Sequence, residues 1–124
     1  MATITEDYVS YETAKLLKEK KFDIECDNAY HNGILTDCTL FGFCTYGEFI
    51  YAPTLQMAMK WLREIHGYVI VVEPGLSEDK YVWTYKVIFY RKRTILLQHK
   101  DNIGSSTYEE TCEAAIKYCL EYLI

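Results

Sequence analysis

Three helix-start signals, one near each end of the chain and one in the middle, limit the possible folds more than any other feature. Ser10 and Thr107 each precede a run whose apolar residues recur at helical spacing, and their hydroxyl groups can accept hydrogen bonds from the first helical turn. Pro53 and Thr54 mark the third start, because proline ends a strand and threonine caps a helix. The sequence therefore predicts helices at about 10–20, 54–66 and 107–123.

Each predicted helix carries an apolar stripe that should face a core. The stripe of the middle helix comprises Leu55, Ala58, Met59, Leu62 and Ile65, flanked by Met57 and Trp61. The stripe of the last helix comprises Tyr108, Cys112, Ala115, Cys119 and Leu123, widened by Ile116, Leu120 and Ile124. Gly67 should end the middle helix, because glycine readily adopts the left-handed conformation found at helix C-termini.

Short β-like runs occupy the chain between the first two helices. The runs ECDNAYH, ILTDCTLFGF and EFIYA are separated by His31-Asn32-Gly33 and by Tyr46-Gly47. Asn32-Gly33 is a strong hairpin signal, because both residues tolerate a positive φ. We expect a β-hairpin at this point.

A second group of β-like runs lies between the last two helices. Residues 68–72 have the pattern of a buried strand that ends in a turn at Glu73-Pro74-Gly75. Residues 81–90 alternate as a long strand would, and 94–98 should pair with them after a reversal at Arg91-Lys92-Arg93. The order of elements predicts an α+β fold in which three helices pack on an antiparallel or mixed β-sheet.

The composition is typical of one globular domain. The chain has 124 residues, of which 50% are hydrophobic and 25% charged, with only 2 prolines and 6 glycines. These values exclude a disordered or low-complexity chain. We expect residues 1–124 to form a single compact domain.

Charge and cysteine content indicate a compartment and disfavour some partners. A formal net charge of -5 repels a phosphate backbone, so the chain as a whole disfavours nucleic acid. The start of the sequence, ATITEDY, is acidic where a secretory signal would be basic, and no stretch approaches the apolar length of a membrane span. Five cysteines at irregular spacing are typical of a reducing compartment. The prediction is a cytoplasmic protein with no membrane partner.

Three segments resemble a known group of sequences. SYETAKLLKEKKFD, YAPTLQMAMKWLREIHGYVI and TYEETCEAAIKYCLEYLI are similar to segments of a family of small uncharacterised proteins encoded by phages, prophages and mobile elements of gut Bacteroidales. The resemblance covers nearly the whole chain, and its departures lie at 27–47 and 73–102. It implies a bacterial host cell as the setting, and it implies no activity, cofactor or catalytic residue.

Four possible zinc ligands occur close together in the sequence. Cys26, His31, Cys38 and Cys44 have the spacing C-x4-H-x6-C-x5-C. Structural zinc sites usually contain a tight C-x2-C pair, and this sequence has none. We interpret these cysteines as buried or partly exposed thiols and predict no metal site, with zinc as the less favoured alternative.

The other reactive residue types lack a catalytic arrangement. Cys112 and Cys119 share one face of the last helix and are interpreted as core residues, because a helix interior supplies neither a base nor a positive field. His99, Asp101 and Ser105 are the residue types of a catalytic triad, but the sequence has no G-x-S-x-G elbow. We predict a non-enzyme with no catalytic residues, and an enzyme would instead require a deep pocket that contains a histidine.

A phosphate-binding loop is also not supported. The segment Gly42-x4-Gly47 is followed by Glu48 and Phe49, where such a loop needs Lys and then Ser or Thr. We predict no cofactor, no cofactor-binding residue and no small-molecule ligand.

Nucleic-acid binding is the alternative function. Arg91-Lys92-Arg93 is a basic turn, and its aromatic neighbours are those that a stacking sheet would require: Tyr81, Trp83, Tyr85 and Tyr90. A charged turn is also an ordinary way to protect edge strands, and the chain lacks the aromatic signature of RNA-binding sheets. Nucleic acid is therefore the less favoured partner.

Protein–protein interaction is the leading hypothesis. The chain has 12 tyrosines, and tyrosine combines a large apolar area with a polar tip. We expect a phage or mobile-element accessory protein that binds a protein partner or forms a homo-oligomer. The contact would use the aromatic strand face or the apolar arc of the last helix.

Overall fold

The computed structural model describes residues 3–38, 48–77, 79–92, 94–98 and 105–124. Within these ranges it confirms an α+β fold with three helices and antiparallel pairing, and the strands are divided between two three-stranded sheets. The chain separates into two compact units, Met1–Met57 and Ala58–Ile124, which are described in turn. The single domain over 1–124 remains a prediction.

The first unit contains one helix and one sheet. Helix α1, Tyr11–Glu19, begins where expected, because the Ser10 side chain accepts a hydrogen bond from the Thr13 backbone N–H at 3.2 Å. The sheet has the order β2-β1-β3 and consists of β1 (Asn28–His31), β2 (Ile34–Asp37) and β3 (Phe49–Tyr51). The helix packs on β3 and buries Ala14 and Leu17.

The hairpin between β1 and β2 is confirmed. Asn32 and Gly33 form its turn with φ of 51° and 82°, and His31 pairs with Ile34 in the ladder. Positive φ at both turn residues matches the twist of the flanking strands. The later part of the ILTDCTLFGF run, residues 39–43, lies outside the described residues.

The second helix starts as predicted and changes geometry before its end. Thr54 accepts a hydrogen bond from the Met57 N–H at 3.1 Å, and helix α2 then spans Leu55–Trp61. A π-helical turn, Leu62–His66, continues it to Gly67, which has a left-handed φ of 80°. The buried residues of this segment are Leu55, Ala58, Met59, Trp61 and Leu62.

The prediction that Ile65 belongs to the buried stripe of this helix is wrong. Its side chain is 58% exposed, although α-helical spacing places it on the same face as Leu62. A π-helical turn contains more residues than an α-helical turn, so residues after Leu62 are rotated away from the face that the α-helical pattern predicts.

The second unit contains the longer sheet. Its order is β4-β5-β6, with β4 at Tyr68–Ser77, β5 at Lys80–Phe89 and β6 at Thr94–Gln98. The pairing of β5 with β6 is confirmed, and the reversal between them begins with a 3-10 turn at Tyr90–Lys92. Helix α3, Tyr108–Tyr118, begins after Thr107, whose side chain accepts a hydrogen bond from the Glu110 N–H at 3.1 Å.

The segment Glu73-Pro74-Gly75 is a second correction, because it belongs to β4 and makes no turn. Pro74 pairs with Trp83, and the strand continues to Ser77. Among the described strands β4 lies at an edge of its sheet. One side of an edge strand has no partner, so a residue without an N–H is tolerated there.

Helix α3 covers one face of this sheet. It contacts β4 and β5, and a π-helical turn at Cys119–Leu123 extends it. The Tyr68 hydroxyl donates to the Leu123 carbonyl at 2.9 Å at one end of the contact. The buried residues between helix and sheet are Tyr85, Val87, Cys112, Ala115, Ile116, Cys119 and Leu120. The apolar arc predicted for the last helix is therefore largely the core of this unit.

Candidate functional site

The end of the β4–β5 hairpin carries an exposed apolar surface, which we call the tip patch. Its members are Pro74, Leu76, Tyr81, Trp83 and Tyr108. Leu76 lies directly opposite Tyr81, and Pro74 opposite Trp83, so these four residues share one face of the hairpin. Leu76 is 65% exposed and Tyr81 is 87% exposed.

The tip patch is exposed because helix α3 begins level with Trp83. Tyr85 and Val87 follow Trp83 on the same face of β5, and both are buried. Tyr108 is the first residue of α3, and its ring meets the Trp83 ring edge-on, with 5.4 Å between centroids. The hairpin continues past the start of the helix, and α3 therefore leaves its last residues uncovered.

Trp83 is held in place by its backbone and by its ring. Its N–H donates to the Ser105 carbonyl at 2.9 Å, and the Ser105 N–H donates to the Trp83 carbonyl at 3.1 Å. The Thr111 hydroxyl donates to the same Trp83 carbonyl at 3.3 Å. A ring that is fixed before binding loses little conformational entropy when a partner contacts it.

Two hydrogen-bond donors in the tip patch have no partner in the described part of the chain. They are the Trp83 indole N–H and the Tyr81 hydroxyl, since the contacts of Trp83 are those given above and Tyr81 makes none with its side chain. Exposed carboxylates lie on both sides of the patch. Asp79 is in the hairpin turn, next to the exposed Lys80 that begins β5, and Glu109 and Glu110 are in the first turn of α3.

The basic turn does not share this surface. Tyr81 and Tyr90 lie at opposite ends of β5, about 30 Å apart for an extended strand of that length. Arg91 donates to the Ile65 carbonyl at 3.5 Å and packs against Gly67. Tyr85, between the two ends of β5, is buried. Arg93 lies outside the described residues. The described tyrosines and basic residues therefore do not form one interleaved surface.

Cys26, Cys112 and Cys119 are protonated at neutral pH. Burial raises the pKa of Cys26 to about 11, with Asp27 and Cys38 contributing. Burial also raises the pKa of Cys119 to about 12 and is the main cause that raises the pKa of Cys112. The thiolate is the form that attacks an electrophile or binds a metal, so these environments disfavour both reactions.

The four sequence candidates for zinc are not brought together in the described part of the structure. Cys38 is near enough to Cys26 to contribute to its raised pKa. Within the described ranges, no three His, Cys, Asp or Glu side chains are grouped as a metal site requires. Cys44 lies outside those ranges.

Two small cavities lie among the described residues of the first unit. One has a volume of about 190 Å³ and is lined in part by Glu25, Cys26 and Met57. The other has a volume of about 250 Å³ and is lined in part by Lys18 and Tyr51. Ligand pockets usually occupy roughly 300–1,000 Å³, so both cavities fall below the usual size.

His66 lies in neither of these cavities. Its Nε2 is buried and has no hydrogen-bond partner among the described residues, and its ring meets Trp61 edge-on at 4.7 Å between centroids. Burial lowers the pKa of His66, and nearby Arg91 lowers it further. The other candidates for catalysis or phosphate binding, His99, Asp101 and the Gly42–Gly47 segment, lie outside the described residues.

Sequence reasoning missed Leu76 as a surface residue. The turn expected at 73–75 separated Leu76 from the strand, so its pairing with Tyr81 was not considered. The sequence did contain a signal for a hairpin here. The segment Ser77-Glu78-Asp79-Lys80 has turn composition, and it is flanked by Leu76 and Tyr81.

None of the helices in the described residues combines the length and apolarity needed to cross a bilayer.

Comparison of the chain with protein-family models, with curated proteins and with solved structures found no match. The functional proposal below rests on the tip patch and the groups around it.

Proposed function

We propose that this chain is a non-enzymatic accessory protein that binds another protein through the tip patch. The observation that carries the proposal is the exposure of Leu76 (65%) and Tyr81 (87%) beside the ordered Trp83–Tyr108 pair. Exposed apolar groups with a polar rim mark interaction sites, and interface hot spots are rich in Tyr and Trp.

The proposed surface differs from the two that the sequence suggested. Tyr85 and Val87, in the middle of the aromatic strand face, are buried under α3, and so are most of the apolar residues of that helix. The contact with a partner is therefore assigned to the end of the hairpin.

The proposal of a non-enzymatic role is supported by the chemistry of the reactive groups. The raised pKa values of Cys26, Cys112 and Cys119 keep these thiols protonated at neutral pH. The two cavities described above are smaller than usual ligand pockets, and no histidine is among the described residues that line them.

The proposed setting is a phage or mobile element in the cytoplasm of a bacterial host. The similarity of three segments to such proteins supports this setting. Thiols support it further, since Cys26, Cys112 and Cys119 form no disulfide in the described part of the chain, as is usual in a reducing compartment.

The test compares capture of host proteins by matched variants. The tip variant is Leu76→Ser/Tyr81→Ser, and the control is Ile34→Ser/Tyr90→Ser, which also replaces one exposed aliphatic and one exposed tyrosine. We expect the wild type and the control to capture the same partner from a nuclease-treated host lysate, and the tip variant to lose it. All three should have similar melting temperatures, because the replaced side chains are exposed.

Two results would contradict the proposal. Capture that survives in the tip variant would show that the partner binds elsewhere. A concentration-dependent dimer in sedimentation that is lost only in the tip variant, with no captured partner, would assign the patch to self-association.

Nucleic-acid binding at the basic turn is the alternative proposal. It is supported by Tyr90, which is 51% exposed beside the exposed side chains of Arg91 and Lys92. The triple variant Arg91→Glu/Lys92→Glu/Arg93→Glu should then lose retention of single-stranded RNA on a filter. Unchanged retention in the triple variant would remove this alternative.

A further inference from the structure

We infer that the partner segment held by the tip patch is an extended, proline-rich peptide that carries a basic residue. This inference rests on the proposed function, because it specifies the chemistry of the protein that the patch binds. Three properties of the patch support it: the arrangement of rings, the unpartnered donors and the charge of the rim.

The rings of the tip patch suit a polyproline II segment. Such a segment is a left-handed helix with three residues per turn, and domains that bind it use grooves lined by aromatic side chains. The hairpin face presents the Tyr81 and Trp83 rings in alternate positions, with Tyr108 edge-on to Trp83 at 5.4 Å. Proline rings of a partner can pack between side chains spaced in this way.

The donors of the patch match the acceptors of such a segment. A polyproline II backbone has no internal hydrogen bonds, so its carbonyl oxygens need donors from outside. The Trp83 indole N–H and the Tyr81 hydroxyl supply donors that have no partner in the described part of the chain. A bound helix would instead present carbonyls that are already satisfied.

Addition of a β-strand at this point is disfavoured. Strand addition depends on backbone N–H and C=O groups along an edge. β4 is an edge strand of the described sheet, but Pro74 has no N–H to offer within the patch. Side-chain donors therefore dominate the hydrogen bonding that this face can offer.

The charge of the rim favours a basic residue in the partner. Asp79, Glu109 and Glu110 are exposed around the patch, and Lys80 is the one exposed cation next to them among the described residues. The net charge of the whole chain, -5, acts in the same direction. Charge complementarity of this kind speeds association and selects among partners.

A second copy of this chain does not fit as the occupant. The chain has 2 prolines, Pro53 and Pro74, and neither stands in a proline-rich run. Pro53 is fully buried. A second copy of these 124 residues therefore supplies no proline-rich segment.

The test measures binding of labelled peptides to the full chain by fluorescence anisotropy. The probe is a panel of short peptides with two overlapping Pro-x-x-Pro repeats, a terminal arginine and varied residues between the prolines. We expect saturable binding by members of the panel. Replacing the prolines by alanine should weaken binding by roughly tenfold or more, equivalent to at least about 1.4 kcal/mol. Replacing arginine by glutamate should also weaken it, and added salt should reduce the effect of that replacement.

Variants of the protein locate the binding site. Tyr81→Ala should weaken binding by roughly tenfold, and Tyr81→Phe by a few-fold because it removes one hydrogen bond and keeps the ring. Tyr90→Ala replaces another exposed tyrosine at the far end of β5 and should leave binding unchanged. Equal weakening by Tyr81→Ala and Tyr90→Ala would overturn the inference.

The outcomes separate this inference from the proposed function. If no peptide of the panel binds, while Leu76→Ser/Tyr81→Ser still abolishes capture of a host protein, the proline-rich partner is wrong and the binding role stands. If neither the panel nor a host protein binds through the tip, both are wrong. If peptides bind equally well after their prolines are replaced, the patch is an apolar surface with no preference for a polyproline II backbone, and the inference is wrong.

Discussion

Gly67 lies against the side chain of Arg91: a Cβ atom built on Gly67 would stand 3.0 Å from Arg91 Nε. Gly67 also ends the second helical segment with φ of 80°, and the Arg91 guanidinium donates to the Ile65 carbonyl at 3.5 Å. The absence of a side chain at Gly67 thus permits both the left-handed backbone and the approach of the arginine to the end of the helix.

Gly67→Ala should lower the free energy of unfolding by about 1–2 kcal/mol, since alanine is strained at this φ and also displaces Arg91. Gly33→Ala is the matched control, because Gly33 has a similar φ of 82° with nothing within 4 Å of its added Cβ. It should cost about 1 kcal/mol. Urea unfolding measures both values. Equal losses of unfolding free energy for Gly67→Ala and Gly33→Ala would show that contact with Arg91 does not contribute. If Gly67→Ala costs more, the Arg91→Ala background should reduce the difference between the two variants.

The π-helical turn predicts a contrast between two neighbouring apolar residues. Leu62 is fully buried, so Leu62→Ala should cost about 2–5 kcal/mol of unfolding free energy. Ile65 is mostly exposed, so Ile65→Ser should change it by no more than about 0.5 kcal/mol. Chemical denaturation of the two variants checks this. A large loss for Ile65→Ser would mean that the segment continues as a regular α-helix with Ile65 in the core.

The cap of helix α3 is open to a direct test. Thr107→Ala removes the acceptor of the Glu110 N–H and should cost about 1 kcal/mol, whereas Thr107→Ser keeps the hydroxyl and should cost little. Thermal unfolding followed by circular dichroism compares the two. If Thr107→Ser is as damaging as Thr107→Ala, the methyl group matters and the hydroxyl does not.

Alkaline pH should destabilise the second unit through Cys119. Burial raises the pKa of this thiol from its ordinary value of 9.0 to about 12, so the unfolded chain loses the proton first. The contribution of the thiol to stability is complete below pH 9 and is lost as pH rises from 9 towards 12. The slope approaches about 1.4 kcal/mol per pH unit.

The measurement compares urea unfolding of the wild type and Cys119→Ala at several pH values. The variant should have the shallower decline above pH 9, while the two curves should run parallel at pH 7–8.5, where the thiol is protonated in both states. Parallel curves throughout the alkaline range would contradict the burial of this thiol.

The features that the sequence predicted correctly depend on local interactions. Ser10 and Thr107 cap their helices, and Asn32-Gly33 forms a hairpin turn, because each needs only its nearest neighbours to adopt that geometry. Cys112 in α3 and Cys119 in the π-helical turn that extends it are both buried, as their shared face indicated.

The features that were missed depend on distant parts of the chain. Pro74 is compatible with a strand because β4 lies at an edge of the described sheet, and strand order is not a local property. Ile65 is exposed because the helix changes to a π-helical turn, which its α-helical spacing does not signal. The tip patch exists because α3 starts level with Trp83, a relationship between elements more than twenty residues apart in the sequence.

The extension of the β4–β5 hairpin past the start of α3 has an evolutionary consequence. Leu76 and Tyr81 bury little surface, so replacing them costs the fold little, whereas Tyr85 and Val87 on the same face are constrained by the core. Under the proposed function, variation at the tip would therefore alter which partners are recognised while the helix-covered part of the sheet keeps its sequence. Related chains that share this scaffold could diverge in specificity through a few substitutions at one end of a single hairpin.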